Sequence, residues 1–245
     1  MDRLFGLLRS LAVYYAPGKR RAWARFYRDI LDPGDLVFDV GAHVGTRSRA
    51  MRVAGARVVA IEPQRLFARF LRRTLPRDIE LVEAAVGAES GDVDMAVSRR
   101  HPTVSSLRTD FVEQATETPG FQHVRWDRTE RVRVVTLDQL AEEYGHPAYV
   151  KIDVEGFESE VLAGVTTPPP MVSVEFLPGF AAHTRAAMER LQTLGDYRFN
   201  PVVGESAQFL WSKWRDAGQT RTWLGALPVD SESGDLFARR KDEPR

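Results

Sequence analysis

The 245-residue chain contains no cysteine. That excludes disulfides, thiolate metal sites and cysteine nucleophiles together. It also lacks a charge surplus: 34 lysines and arginines stand against 34 aspartates and glutamates. A dedicated nucleic-acid binder usually shows a basic excess, so no nucleic-acid partner is expected. Lysine itself is scarce, at four residues. Long apolar runs are missing too. The N-terminal stretch Leu4-Phe5-Gly6-Leu7-Leu8 is broken by Arg9, with no small-residue cleavage site beyond. It is too short to span a bilayer and does not read as a secretory signal. Leu4, Leu7, Leu8, Leu11 and Tyr15 instead recur at helical spacing. The favoured reading packs this segment on the domain or over a cleft. Contact with an anionic membrane surface through Lys19-Arg20-Arg21 is the lesser alternative. A cytoplasmic location is expected.

What remains is enough for one large α/β domain with a proper core. We divide the chain into an N-terminal helical extension, 1–34, and a ligand-binding domain, 35–240. Residues 20–31 read as a helix stopped by Asp32-Pro33-Gly34-Asp35. Apolar runs place strands at 36–40, 57–62, 79–83, 148–153, 171–176, 197–203 and 234–239. Helical spacing falls between them at 46–54, 64–74, 138–144, 156–164 and 180–194. Two alternating stretches, 93–98 and 132–137, read as an added hairpin. Residues 99–131 and 204–233 show no sustained period, and loops of that length are usually functional or disordered. Trp211, Trp214 and Trp223 fall in the second of them, to fill core or to wall a substrate, with core favoured.

The stretch that organises the chain is Asp39-Val40-Gly41-Ala42-His43-Val44-Gly45, at the end of the first strand. Strand, glycine turn and helix start in succession make the nucleotide corner of a doubly wound fold. A dinucleotide fingerprint runs Gly-x-Gly-x-x-Gly; here the spacing is Asp-x-Gly-x-x-x-Gly with no third glycine. A carboxylate at that corner repels a pyrophosphate and suits a cation. S-adenosylmethionine (SAM), with its sulfonium and ammonium groups, fits. Glu62 closes the second strand, where an acid can accept both ribose hydroxyls.

Acids end five strands: Asp39, Glu62, Glu83, Asp153 and Glu175. Ligands of open α/β sheets bind outside these strand ends. Clustered carboxylates repel one another unless cations or hydrogen-bond donors lie between them. The densest group is Lys151-Ile152-Asp153-Val154-Glu155-Gly156-Phe157-Glu158. Lys151 neutralises Asp153 or Glu155, or belongs to the chemistry. A carboxylate or imidazole there can take a proton from an aliphatic hydroxyl, which otherwise attacks poorly at neutral pH. Asp153 and Glu175 carry oxygens that a divalent ion accepts. His101, His123, His146 and His183 show no metal-ligand period, so no metal is assigned. Glu175, and Ser106 in the long loop, are the candidates for touching the acceptor.

With Ile61-Glu62-Pro63, Ala85-Val86-Gly87, Ser105-Ser106-Leu107 and Val135-Thr136-Leu137-Asp138, these motifs occur in the order seen in FkbM-type SAM-dependent methyltransferases. The chain resembles that family over roughly residues 35–177. The resemblance implies a class I, Rossmann-like sheet of seven strands, mostly parallel with an antiparallel last strand. It also implies methyl transfer, usually to oxygen, on a bacterial small molecule, sugar or glycolipid. Carried over, Asp39, Gly41, His43, Val44 and Gly45 would line the methionine end of SAM. Glu62 would hold the ribose, Glu83 and Ala84 would flank the adenine, and Asp153 and Glu155 would face the methyl. His43 stands where the family commonly has Asn; a histidine also titrates near neutrality. Two rivals differ in class: an NAD-type oxidoreductase, disfavoured by the glycine spacing, and a non-catalytic SAM-fold binding protein. A base-methylating enzyme fits less well. Pro168-Pro169-Pro170 lacks the preceding Asn or Asp and the following aromatic of that motif.

Overall fold

Val37 and Phe38 are adjacent, yet they feed different hydrophobic cores. Successive side chains of a strand point to opposite faces, so a strand that is apolar throughout must be covered on both sides. Strand β1 (Leu36–Val40) is buried at every position. The computed structural model, which describes residues 19–98 and 126–241, places β1 near the middle of a seven-stranded sheet. Its order is β3-β2-β1-β7-β8-β10-β9, with β2 Arg57–Ile61, β3 Glu80–Val82, β7 Tyr149–Ile152, β8 Met171–Phe176, β9 Tyr197–Val203 and β10 Gly234–Arg240. β1 pairs parallel with β2 and β7, while β10 runs antiparallel to both β8 and β9. This is the Rossmann-like class I methyltransferase architecture.

Among the described residues, seven α-helices flank it: α1 (Lys19–Ile30), α2 (Thr46–Ala54), α3 (Arg65–Thr74), α4 (Leu137–Tyr144), α5 (Glu158–Ala163), α6 (Ala181–Leu194) and α7 (Ala217–Ala226). On one face, Trp23 and Tyr27 of α1, Met51 of α2 and Leu71 of α3 pack with Val37, Val58, Tyr149 and Phe237 of the sheet. On the other, Leu140 of α4, Leu162 of α5, Met188 and Leu191 of α6 and Leu224 of α7 pack with Phe38, Val59, Ile152 and Val174. Helix α3 shows the logic locally. Phe67, Ala68 and Leu71 face inward at helical spacing, arginines face out, and Pro76 follows where the helix stops.

The added hairpin is present, and it is longer than the alternation implied. β5 (Gly91–Val97) pairs antiparallel with β6 (Arg128–Val135), so the partner strand orders Arg128 to Arg131 as well. A two-residue strand, β4 (Ala85–Val86), joins β6 in parallel and completes a second, three-stranded sheet. Residues 204–233 are not wholly irregular, because α7 lies within them. Its start carries a capping box: Asp216 accepts from the Gln219 N–H while the Gln219 side chain accepts from Asp216. Trp223 packs on the core beneath α4–α7 and Trp214 on the core beneath α1–α3, so two of the three tryptophans fill core. No helix among the described residues is long and apolar enough to cross a membrane.

Candidate active site

The carboxyl ends of β1, β2, β7 and β8 open into a cavity of about 340 Å³. The turn after β1 shapes its floor. Gly41 takes φ 81°. A Cβ there would lie 1.9 Å from the Asp153 carbonyl oxygen, so only glycine lets this turn lie against the end of β7. Gly45 caps α2 in the left-handed region at φ 75°, with Arg49 and Leu71 filling the space a side chain would need. His43 is also left-handed, at φ 51°. Its N–H donates to Glu62 at 2.8 Å, and the Gln64 N–H donates to the other Glu62 oxygen at 2.8 Å. Glu62 thereby ties the first turn to the second, and each oxygen keeps a lone pair for the cavity. Burial pushes its carboxyl up to about 7, against the pull of those two N–H groups.

Asp39 is buried behind the turn and accepts a hydrogen bond from the Ser48 hydroxyl. Its other oxygen has no hydrogen-bond partner among the described residues, although the residue lines the cavity. Burial raises its pKa; the Lys151 ammonium and the Ser48 hydroxyl oppose that. Lys151 is the register partner of Asp39 across the strand pair, and alternation puts both on the α1–α3 face. Its Nζ donates to Asp153 at 2.7 Å. Burial would raise the Asp153 pKa, but Lys151, with Arg47 and His43, holds it below the usual carboxylate range.

Glu155 and Glu175 face the same space. One oxygen from each, with one from Asp153, lies within 4.8 Å of the others, a set that could hold a divalent ion. Burial, then the neighbouring carboxylates, pushes the pKa of Glu155 and of Glu175 well above the ordinary value. Glu155 adopts φ 53° and Gly156 φ 91°. Glu158 holds this turn by accepting from the Gly156 N–H at 3.1 Å. His43 packs edge-on against Phe67 at 4.1 Å, and burial lowers its pKa to about 4. The imidazole is therefore neutral at physiological pH and has lost its titration near neutrality.

Of the residues named from sequence, Asp39, Gly41, His43, Glu62, Ala84, Asp153, Glu155 and Glu175 line one cavity. Val44 is fully buried in packing, and Gly45 serves the helix cap. Glu83 turns outward to an ion pair with Arg72, because β3 ends at Val82 and the chain bends there. Ser106 lies outside the described residues. Sequence reasoning missed Arg47, Glu205 and Asp235, which also line the cavity. Arg47 sits 3.3 Å over the Trp23 ring, pairs with Glu205 at 3.0 Å and with Asp235 at 3.5 Å. The signal available was Arg47 two residues after the Gly45 cap, in the first turn of α2; its acidic partners come from distant turns.

Eight carboxylates and two cations line the cavity, with Ala84, Val86, Met95 and Phe157 supplying an apolar side. That donor set, with the unpartnered Asp39 oxygen, fits a ligand that is cationic at one end and carries hydroxyls and an apolar ring. SAM is such a ligand.

Residues 39–227 match the model of the methyltransferase FkbM domain. Among curated proteins none matches. Among solved structures the chain is similar to a TehB-like SAM-dependent methyltransferase from Corynebacterium glutamicum, at 10% identity and TM-score 0.49, over 96% of this chain and 94% of that one. It is also similar to a precorrin-6y C5,15-methyltransferase from Geobacter metallireducens, at 13% identity and TM-score 0.48, over 91% and 86%. The chain belongs to the FkbM methyltransferase family, and S-adenosyl-L-methionine is its cofactor.

Proposed function

We propose that this methyltransferase acts on oxygen, methylating a hydroxyl of a small-molecule or glycan acceptor. One observation carries the reading: Asp153, kept ionised by Lys151 at 2.7 Å, meets Glu155 and Glu175 inside the cavity. When bound, SAM supplies a methyl group activated by its sulfonium. Asp39, Gly41 and His43 would hold its methionine end, Glu62 its ribose, and Ala84 its adenine. Asp153 accepts a hydrogen bond from the acceptor hydroxyl and so aims the oxygen; orientation of this kind supplies much of such a rate enhancement. A hydroxyl proton becomes strongly acidic as its oxygen gains the methyl. A carboxylate of low pKa is then base enough to take it. Burial and the neighbouring carboxylates favour the protonated form of Glu155 and Glu175, and a protonated carboxyl there can donate to neighbouring oxygens of the acceptor. Several hydroxyls on one acceptor would use all three groups, which favours a sugar or polyol over an isolated alcohol.

The test is mass spectrometry on a cell extract incubated with the protein and a deuterated methyl donor. A product labelled on oxygen is expected; a label on nitrogen or carbon would refute the assignment. Asp153→Asn should lower kcat by about 10²–10⁴ while SAM affinity stays within a few fold. Full turnover with an unchanged pH profile would remove Asp153 from the role of base.

A further inference from the structure

The matched totals of acidic and basic residues conceal a separation that only the fold reveals. Helices α1, α2 and α3 form one layer. Arg28 of α1 donates to the Val53 carbonyl of α2 at 3.2 Å, and Arg49 of α2 to the Thr74 hydroxyl of α3 at 3.0 Å. The outward sides of these three helices expose nine arginines, four on α1, one on α2 and four on α3, against one exposed acid, Asp29. The helices of the opposite layer, α4 to α7, expose Arg185 and Arg221 against Glu142, Glu143 and Glu189. Among the described residues, two of the nine arginines form ion pairs with an acid: Arg52 with Asp78, and Arg72 with Glu83.

This arrangement works against helix stability. Arg21 and Arg25, Arg65 and Arg69, and Arg69 and Arg73 are like charges one turn apart. Solubility does not call for it in a chain of zero net charge. Nor does the reaction: none of the nine lines the cavity. A broad, cationic face suits a surface that presents many phosphates at once, since each guanidinium can take phosphate oxygens in pairs.

We propose that the outer face of α1–α3 docks on an anionic phospholipid bilayer. The large hydrophobic residues exposed among the described residues are Val53, Val93, Leu210 and Val229, none aromatic. Single-stranded nucleic acid is held by exposed aromatic rings in a basic groove. No such ring is exposed on this face among the described residues. The sequence just ahead of α1 repeats Leu4, Leu7, Leu8 and Leu11 at helical spacing, the apolar complement that membrane-surface segments combine with basic residues. Thr46 and Gln64, where α2 and α3 begin, line the cavity. The cavity therefore reaches the starts of the two helices whose outer sides carry the basic face.

The experiment is co-sedimentation of the full chain with phosphatidylcholine vesicles, with and without phosphatidylglycerol, at low and high salt. Binding only to the anionic vesicles, falling as salt rises, is expected. Combined Arg25→Gln, Arg69→Gln and Arg73→Gln should weaken it about a hundredfold, at the usual gain per basic residue at such a surface. Arg185→Gln with Arg221→Gln, on the opposite layer, should leave it unchanged. Should the triple variant fail to fold, Arg20→Gln, Arg21→Gln and Arg65→Gln test the same face near the helix starts. Equal binding to neutral vesicles, no binding to anionic ones, or full binding by folded variants overturns the proposal. So does tight binding of RNA or DNA without any affinity for vesicles.

Discussion

Asp39 shows what a single carboxylate does in this site. One oxygen is held by Ser48 and the other, without a partner among the described residues, belongs to a residue that lines the cavity. A buried acceptor left in that state costs free energy until a donor arrives. Asp39→Asn keeps the shape and removes the charge. We expect the dissociation constant for SAM, measured by calorimetry, to rise about tenfold to a hundredfold, the worth of one charge-assisted hydrogen bond. The thermal midpoint of the ligand-free variant should not fall, since the native charge is costly to bury. Undiminished affinity would contradict the placement of the ligand. Asp39, Glu62, Asp153 and Glu175 were legible in the sequence because apolar runs mark the strands and an acid closes each run. Arg47 was not. In sequence it is one arginine among many, and its burial depends on Trp23, Glu205 and Asp235, which are brought to it by three other parts of the chain.

At the scale of elements, the strands covered on both faces were readable as apolar runs, and the helices that face a core on one side from their period. The exceptions have physical reasons. β4 has two residues, too few to show any period. β6 begins at Arg128 because β5 pairs with it there, a tertiary cause invisible in Arg128-Thr129-Glu130-Arg131. Helix α7 is different, since its start signal was present. Asp216-x-x-Gln219 is a capping box, but Gly218, Thr220, Thr222 and Gly225 have low helix propensity and blur the pattern. Ala217, Thr220 and Leu224 are buried at helical spacing, so packing and the cap together hold the helix. Asp216→Ala leaves the Gln219 N–H without its acceptor. The expected loss is about 1 kcal/mol, or a thermal midpoint lower by about 2–4 °C for a chain of this size. Asp216→Asn, which preserves an acceptor, should restore most of it. An unchanged midpoint for Asp216→Ala would mean that packing alone fixes α7.

Across the whole molecule, the acid-rich cavity sets how stability depends on pH. Burial pushes Glu62 up to about 7 and Glu158 up to about 7, each partly offset by backbone N–H groups. Glu155, Glu175, Asp39 and Asp235 are raised for the same first reason. A group whose folded pKa lies above its unfolded value binds protons more tightly when folded. Its contribution is complete below the unfolded pKa, about 4.5 for a glutamate, and is lost as pH rises through the folded one. Asp153 has the opposite sign: its pKa is held down by the Lys151 pair, so its contribution is lost only as pH falls through that lowered value. The ligand-free protein should therefore be most stable in mildly acidic solution, with a thermal midpoint that declines as pH rises toward and past about 7. SAM reverses the balance, because its cationic groups favour ionised carboxylates and its ribose hydroxyls need acceptors on Glu62. The rise in midpoint on adding SAM should thus grow over the same pH interval, and calorimetry in buffers of different ionisation enthalpy should detect proton release on binding. Glu62→Gln should flatten both slopes, while His43→Asn should leave the SAM-dependent rise in place, since burial keeps that imidazole neutral in the folded protein. It should steepen the ligand-free decline below about pH 6.5, because a histidine lowered to about 4 on folding contributes stability that grows as pH rises to its unfolded value. A ligand-free midpoint that climbs steadily from pH 5 to pH 8 would show that these carboxyls are ionised before any ligand arrives. The cavity would then be permanently charged, its cost met by cations among or beyond the residues described, and the coupling between protonation and cofactor binding would be absent.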